Sequence, residues 1–272
     1  MKLRLISTGI ILTILLSFSC SEDDEVQINP TEGLTKIAEG TAVNANTKVE
    51  VWADDTELFV GYNTLYARLT DATTDEPITE STVIFIPMMS MVSGMKHSAP
   101  VDNPSSEKAV NSLFPGAVNF IMPSGTDIGS WKLKVMVQNQ LKNVEDFVEL
   151  ELNVVTPEKT RMHSFATDDG MKYFVSYHFT EKPKVGVNDF EVMIHTKESM
   201  ESFPGATGFT IGMEPEMPSM GHGSPNNVAP AHKGNGHYTG KVNFTMTGDW
   251  RIHLNLSKGE LAKELYFDLD ID

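Results

Sequence analysis

The stretch KVNFTMTGDWRIHLNL, Lys241 to Leu256, decides the fold class. From Trp250 onward, Ile252, Leu254 and Leu256 alternate with Arg251, His253 and Asn255. Successive side chains of a strand point to opposite faces, so this period of two describes a strand with one face in a core and one in water. The same text occurs earlier in the chain. PGAVNFIM (Pro115–Met122) matches TGKVNFTM (Thr239–Met246), with V-N-F-x-M identical, and SWKLKVMV around Trp131 matches DWRIHLNL. In the earlier copy Leu133, Val135 and Val137 point inward, and Lys132 and Lys134 outward.

Two further pairs lie in the same order. LFVGY (Leu58–Tyr62) returns as YFVSY (Tyr173–Tyr177), and MKHSAPVDNP (Met95–Pro104) returns as MGHGSPNNVAP (Met220–Pro230). Markers repeated in one order signify internal duplication, with the joint near Pro157. KVEVWA, STVIFIP, VELELNVV, KYFVSYHF and FEVMIH read as additional short strands, rich in β-branched and aromatic residues. DATTDEP, SGTDIGS, DDG and HKGNG read as the turns between them. No amphipathic helical pattern of a dozen residues follows the N-terminal segment. The expected fold is all-β, with two tandem immunoglobulin-like β-sandwich domains over residues 34–156 and 157–272. The Cys–Trp–Cys spacing of antibody domains is absent, so the expectation covers architecture alone.

Residues 1–19 read as a signal peptide. Lys2 and Arg4 precede an uncharged apolar run, Leu5 to Leu16, too short to span a bilayer. The segment leads to Cys20, the one cysteine of the 272 residues, and an acidic SEDDE follows. A lone cysteine in that place resembles the lipidated residue of a Bacteroidetes-type lipoprotein, with residues 20–33 as tether. The expected location is therefore the cell envelope. The chain would be an outer-membrane lipoprotein, periplasmic or surface-exposed, held to the membrane through its lipid. With Cys20 lipidated, no disulfide is possible and the cores alone must hold the fold. The net charge of −16 argues against nucleic acid as a partner, since a polyanion attracts basic patches.

Each copy also carries a cluster of soft ligands ahead of its V-N-F-x-M strand. The first has Met88, Met89, Met91, Met95 and His97. The second, in GMEPEMPSMGHGSP, has Met213, Met217, Met220 and His222, with His232 and His237 beyond. Gly, Pro, Ser and Glu separate these methionines where a core segment would place Leu, Val or Ile, so the second cluster reads as a constrained loop. M-x-H occurs in both copies, and extended backbone puts residues two apart on one side. Met122 and Met246 add a thioether from the next strand. Thioether sulfur is soft and neutral and suits Cu(I), and imidazole binds copper too. The candidate metal ligands are Met217, Met220, His222, His237 and Met246 in the second copy, and Met91, Met95, His97 and Met122 in the first. Packing competes with this reading, because methionine is an adaptable gap-filler. His195 and His253 read as solvent-facing, and His163 and His178 as structural.

MPSMGHGSP…GHYTGKVNFTMTGDWRIHLNL resembles the YtkA-like domain family, related to FixH-type proteins. PMMSMVSGMKHSAPVDNP…GAVNFIMPSGTDIGSWKLKV resembles a more diverged copy, lengthened before His97 and before Trp131. The resemblance implies small exported or membrane-tethered β-sandwiches linked to copper handling, with a copper protein as possible client.

The sequence offers no HExxH, no Gly-rich phosphate loop and no cysteine nucleophile. Ser224 in GHGSP lacks the strand–elbow–helix setting that G-x-S-x-G chemistry needs. The expectation is a non-enzyme that binds copper, as Cu(I), for buffering or delivery. The alternative is a non-metal tandem-sandwich adhesion or scaffold lipoprotein whose methionine loops touch a protein or ligand.

Overall fold

The computed structural model of the chain describes residues 29–139 and 143–272. The segment expected to be a signal peptide, Cys20 and most of the expected tether lie outside the described residues. Within them the chain is all-β and no helix occurs.

The first half runs β1 (Thr35–Ala42), β2 (Thr47–Ala53), β3 (Leu58–Phe59), β4 (Gly61–Asp71), β5 (Ser81–Met91), β6 (Lys96–His97), β7 (Val101–Asp102), β8 (Phe114–Phe120), β9 (Gly129–Asn139), β10 (Val144–Leu152) and β11 (Val154–Val155). The second runs β12 (Met162–Ala166), β13 (Lys172–Phe179), β14 (Gly186–Thr196), β15 (Thr210–Met217), β16 (His222–Gly223), β17 (Val228–Gly234), β18 (His237–Phe244), β19 (Gly248–Lys258) and β20 (Leu261–Ile271). In each half a five-stranded sheet faces a four-stranded one. The orders are β1-β2-β4-β8-β7 over β10-β9-β5-β6, then β12-β13-β14-β18-β17 over β16-β15-β19-β20. The tandem sandwich expected from the sequence is present.

Each sandwich has its own core. In the first, Phe85, Phe114, Phe120 and Trp131 are buried among the inward residues of both sheets. In the second the same place is taken by Phe190, Tyr238, Phe244, Trp250 and Phe267. Burying each such aromatic is worth about 1.5–3 kcal/mol. The alternation read from the sequence holds: Leu133, Val135, Val137, Ile252, Leu254 and Leu256 all face inward.

Strand pairing reproduces the duplication. Gly61 opposes Phe120 as Gly186 opposes Phe244, and both glycines have positive φ, 134° and 108°. Two residues on, Asn63 Nδ2 donates to the carbonyls of Phe59 and Gly61 while its Oδ1 accepts from the Phe59 amide. Asn188 repeats this with Lys184 and Gly186. V-G-Y-N and V-G-V-N are therefore the true counterparts. LFVGY does not correspond to YFVSY, because Tyr173–Tyr177 lies in β13, which holds the sheet position of β2.

Two other expectations change. GMEPEM belongs to β15 and is no loop. Ile211, Met213, Pro215 and Met217 alternate inward along it, so Met213 and Met217 fill the second core. Glycine and proline are tolerated there because β15 lies between β19 and the two-residue β16, which leaves most of its second edge unpaired. His195, expected at the surface, is 3% exposed. The end of the first sandwich covers part of the outer face of β13, β14 and β18, and there Ser176, Met193 and His195 are buried. Asn119 Nδ2 donates to Ser176 Oγ across this contact at 2.8 Å, and the Ser98 amide donates to the Met200 carbonyl at 2.7 Å.

Candidate metal centre

β5 delivers Met89 to the core, turns through Val92–Met95 with Gly94 at φ 86°, and returns as β6 with His97 opposite Met89. The His97 ring is 5% exposed and stands edge-on to Trp131, at 5.3 Å and 86°. Its Nδ1 lies 2.8 Å from the carbonyl oxygen of Ser98. A carbonyl only accepts, so Nδ1 carries the ring proton in neutral imidazole and Nε2 presents a lone pair. That Nε2 is 3.0 Å from Met122 Sδ, itself a lone-pair donor. Met122 lies just past the end of β8, and Trp131 Nε1 fixes this bend by donating to the Met122 carbonyl at 2.9 Å.

The second sandwich repeats the parts. His222 opposes Met217 in the β15–β16 hairpin and stands edge-on to Trp250, at 6.0 Å and 78°. Its Nδ1 lies 3.0 Å from the Gly223 carbonyl oxygen, so Nε2 is again the free nitrogen. Trp250 Nε1 donates to the Met246 carbonyl at 3.0 Å. Met246 is 39% and Met220 60% exposed, and His222 lines an open groove of about 640 Å³ with Met213, Glu216 and His253. Gly221, at φ 66°, curls the chain between Met220 and His222. The extended geometry expected for M-x-H is therefore not present there.

The remaining candidates fall in two groups. Met91 packs on the rim of the first core, and Met95 is 52% exposed at the hairpin tip. His237 sits elsewhere, on β18 at the contact between sandwiches. Its Nε2 is 3.1 Å from Asp102 and its Nδ1 3.1 Å from Glu191. Those two hydrogen bonds, Asp102 first, raise its pKa to about 10. Asp102 also accepts from Tyr62 Oη at 2.9 Å, and although burial pushes its carboxyl up, the bond to His237 leaves it lowered. The ring of His195 is 6.4 Å from that of His237, and burial lowers its pKa to about 4. The two carboxylates lie on opposite nitrogens of His237, so this group is an ionic lock between domains and does not converge on a point. Among the described residues no three His, Cys, Asp or Glu side chains come together to hold a metal ion. A metal site among the described residues would have to count thioethers.

The repeated tryptophans beside the histidines were missed from sequence as site residues, although S-W and D-W recur after V-N-F-x-M. The Tyr62–Asp102–His237–Glu191 lock left no sequence signal, because its members come from four different strands.

Residues 165–255 match the YtkA-like family. The matched YtkA-like span runs from β12 into β19 and contains Met217, Met220, His222, Met246 and Trp250. Among curated proteins none matches the chain. Among solved structures it is similar to domains 5-6 of the S-layer protein SbsC, at 11% identity and a TM-score of 0.31, over 87% of this chain and 99% of that one. It is also similar to the Yersinia pseudotuberculosis adhesin InvE, at 12% identity and a TM-score of 0.26, over 86% of this chain and 60% of that one. At such scores the fold assignment rests on the sheets described above.

Proposed function

We propose that this is a copper-binding protein of the cell envelope that buffers or delivers Cu(I), with one His–Met–Trp site in each sandwich. One observation carries the reading. In both copies the histidine donates Nδ1–H to the next residue's carbonyl, which aims the Nε2 lone pair away from the protein's own hydrogen bonds. Fixing a ligand's tautomer through its other nitrogen is how metal-binding imidazoles are oriented. In the first copy that lone pair meets a thioether at 3.0 Å, two neutral soft-to-borderline donors that a monovalent soft cation would bridge. His97, Met122 and Met91 would hold the first ion, and His222, Met246 and Met220 the second. The indole faces of Trp131 and Trp250 would add cation–π attraction.

On this reading the first sandwich is a diverged YtkA-like domain, Cys20 anchors the chain by lipid to the outer membrane, and a copper protein is the client. The chain's work is binding and release. No catalytic constellation enters the reading.

The test is anaerobic competition of the chain from Ser21 onward with a chromophoric Cu(I) chelator. Two equivalents are expected, falling to one in His97→Ala and in His222→Ala, with quenching of tryptophan emission on loading. No uptake of Cu(I) refutes the reading.

A further inference from the structure

Resting on the copper reading, we propose that the two sites differ in kind: the first is a retention site closed by the second domain, and the second is an exchange site open to solvent. The surroundings of the two histidines carry this. Beyond His97, residues Ser98, Ala99 and Pro100 are all buried, although they lie past the end of a two-residue strand. Ala99 packs in the first core, and the Ser199–Phe203 turn of the other sandwich closes on the segment at Ser98, whose amide donates to the Met200 carbonyl. That turn is itself braced. Ser202 donates its amide to Ser199 Oγ, the Glu198 amide donates to the Ser202 carbonyl, and Phe203 packs on Phe174 at 5.8 Å. The Asn119–Ser176 hydrogen bond and the Asp102–His237 ion pair hold the same two bodies together nearby.

Among the described residues, none from the first sandwich lines the groove at His222. Every residue lining its groove comes from Met213 to Leu265, and both Met220 and Met246 are open to water. A bound soft cation there can be handed directly to a competing ligand. At His97 the interdomain contact must open first, so release is slowed by the fraction of time the contact spends open.

The experiment loads the chain from Ser21 onward with two equivalents of Cu(I) and follows release to excess chromophoric chelator by anaerobic stopped flow. Two phases of equal amplitude are expected. The fast one disappears in His222→Ala and the slow one in His97→Ala. Ser176→Ala, which removes one buried hydrogen bond, should speed the slow phase roughly fivefold to tenfold and leave the fast phase unchanged. His237→Ala should do the same to a larger extent, and it provides the answer independently if Ser176→Ala folds poorly. Two equivalents leaving at one rate, or a slow phase indifferent to both interface variants, would overturn the proposal and leave the copper reading standing. A chain that takes up no Cu(I) overturns both, and its zero stoichiometry tells the cases apart.

Discussion

Replacing His237 by alanine removes the cation from the lock between the sandwiches, and the cost follows from the ring's two partners. Its pKa rises from an ordinary 6.5 to about 10 because Asp102 and Glu191 each hydrogen-bond it, so at neutral pH it is an imidazolium between two carboxylates. At about 1.4 kcal/mol for each tenfold change, the ceiling is about 5 kcal/mol. The ring keeps 17% of its surface in water, and the abandoned carboxylates can be partly rehydrated. A realistic loss is about 3 kcal/mol, at the lower end of what breaking a buried pair costs. The sign of the pH dependence is fixed. A folded pKa above the unfolded one gives stability that is complete below 6.5 and lost as pH rises toward 10, at up to about 1.4 kcal/mol per pH unit. His195 works in the opposite direction. Burial lowers its pKa to about 4, so charging it costs stability as pH falls from 6.5 toward 4. Wild type should therefore be most stable near pH 6.5, and His237→Ala should keep the acid limb while losing most of the alkaline one. Urea unfolding of both proteins at pH 5, 6.5, 8 and 9.5 measures this. Parallel curves above pH 6.5 would refute the assignment of His237 as the charged centre of the interface.

Gly248→Ala should cost about 1–3 kcal/mol, since φ at 126° is strained for any residue with a Cβ. The new methyl would also run into Met217 Cε, and urea unfolding of the second sandwich would show the loss. Asn188→Ala leaves the Lys184 amide and two carbonyls without their partner, and should destabilise the second sandwich by about 1–3 kcal/mol. Asn63→Ala should do the same to the first, so equal effects in thermal unfolding would verify the duplicated brace. Met217→Ala opens a cavity in a packed core and should cost about 2–5 kcal/mol, whereas Met220→Ala at the exposed tip should change stability by under about 0.5 kcal/mol. If Met217→Ala were as harmless as Met220→Ala, β15 would not be the core strand described above.

The methionines mark where the sequence stopped being legible. In Gly212–Met217 the spacing of Met213, Pro215 and Met217 is already a strand's period of two, but glycine and proline hid it. Local propensity disfavours those residues in a paired strand, and only the largely unpaired edge of β15 makes them acceptable. His97 and His222 were found because M-x-H stands out in a chain with eight histidines. The indoles beside them were not singled out, since Trp131 and Trp250 served in the sequence as markers of the repeat, and they also stand against the two histidines of the proposed sites.

What the sequence determined by itself is whatever a local period or a verbatim repeat can carry: strands with one wet face, two copies in tandem, and a soft-ligand cluster ahead of each V-N-F-x-M. Hydrophobic alternation fixes which face is buried before any neighbour is known. What the tertiary structure decided is which copy is covered and which is open. His195 looked exposed because a strand's outer face is normally solvated, and His237 looked like a ligand because it follows the second cluster of methionines and His222. Both became part of an interface when the end of the first sandwich came to rest on β13, β14 and β18, a contact made by side chains scattered over the chain from Tyr62 to His237. No window of sequence contains that contact, because its energy comes from groups brought together only after each sandwich has folded.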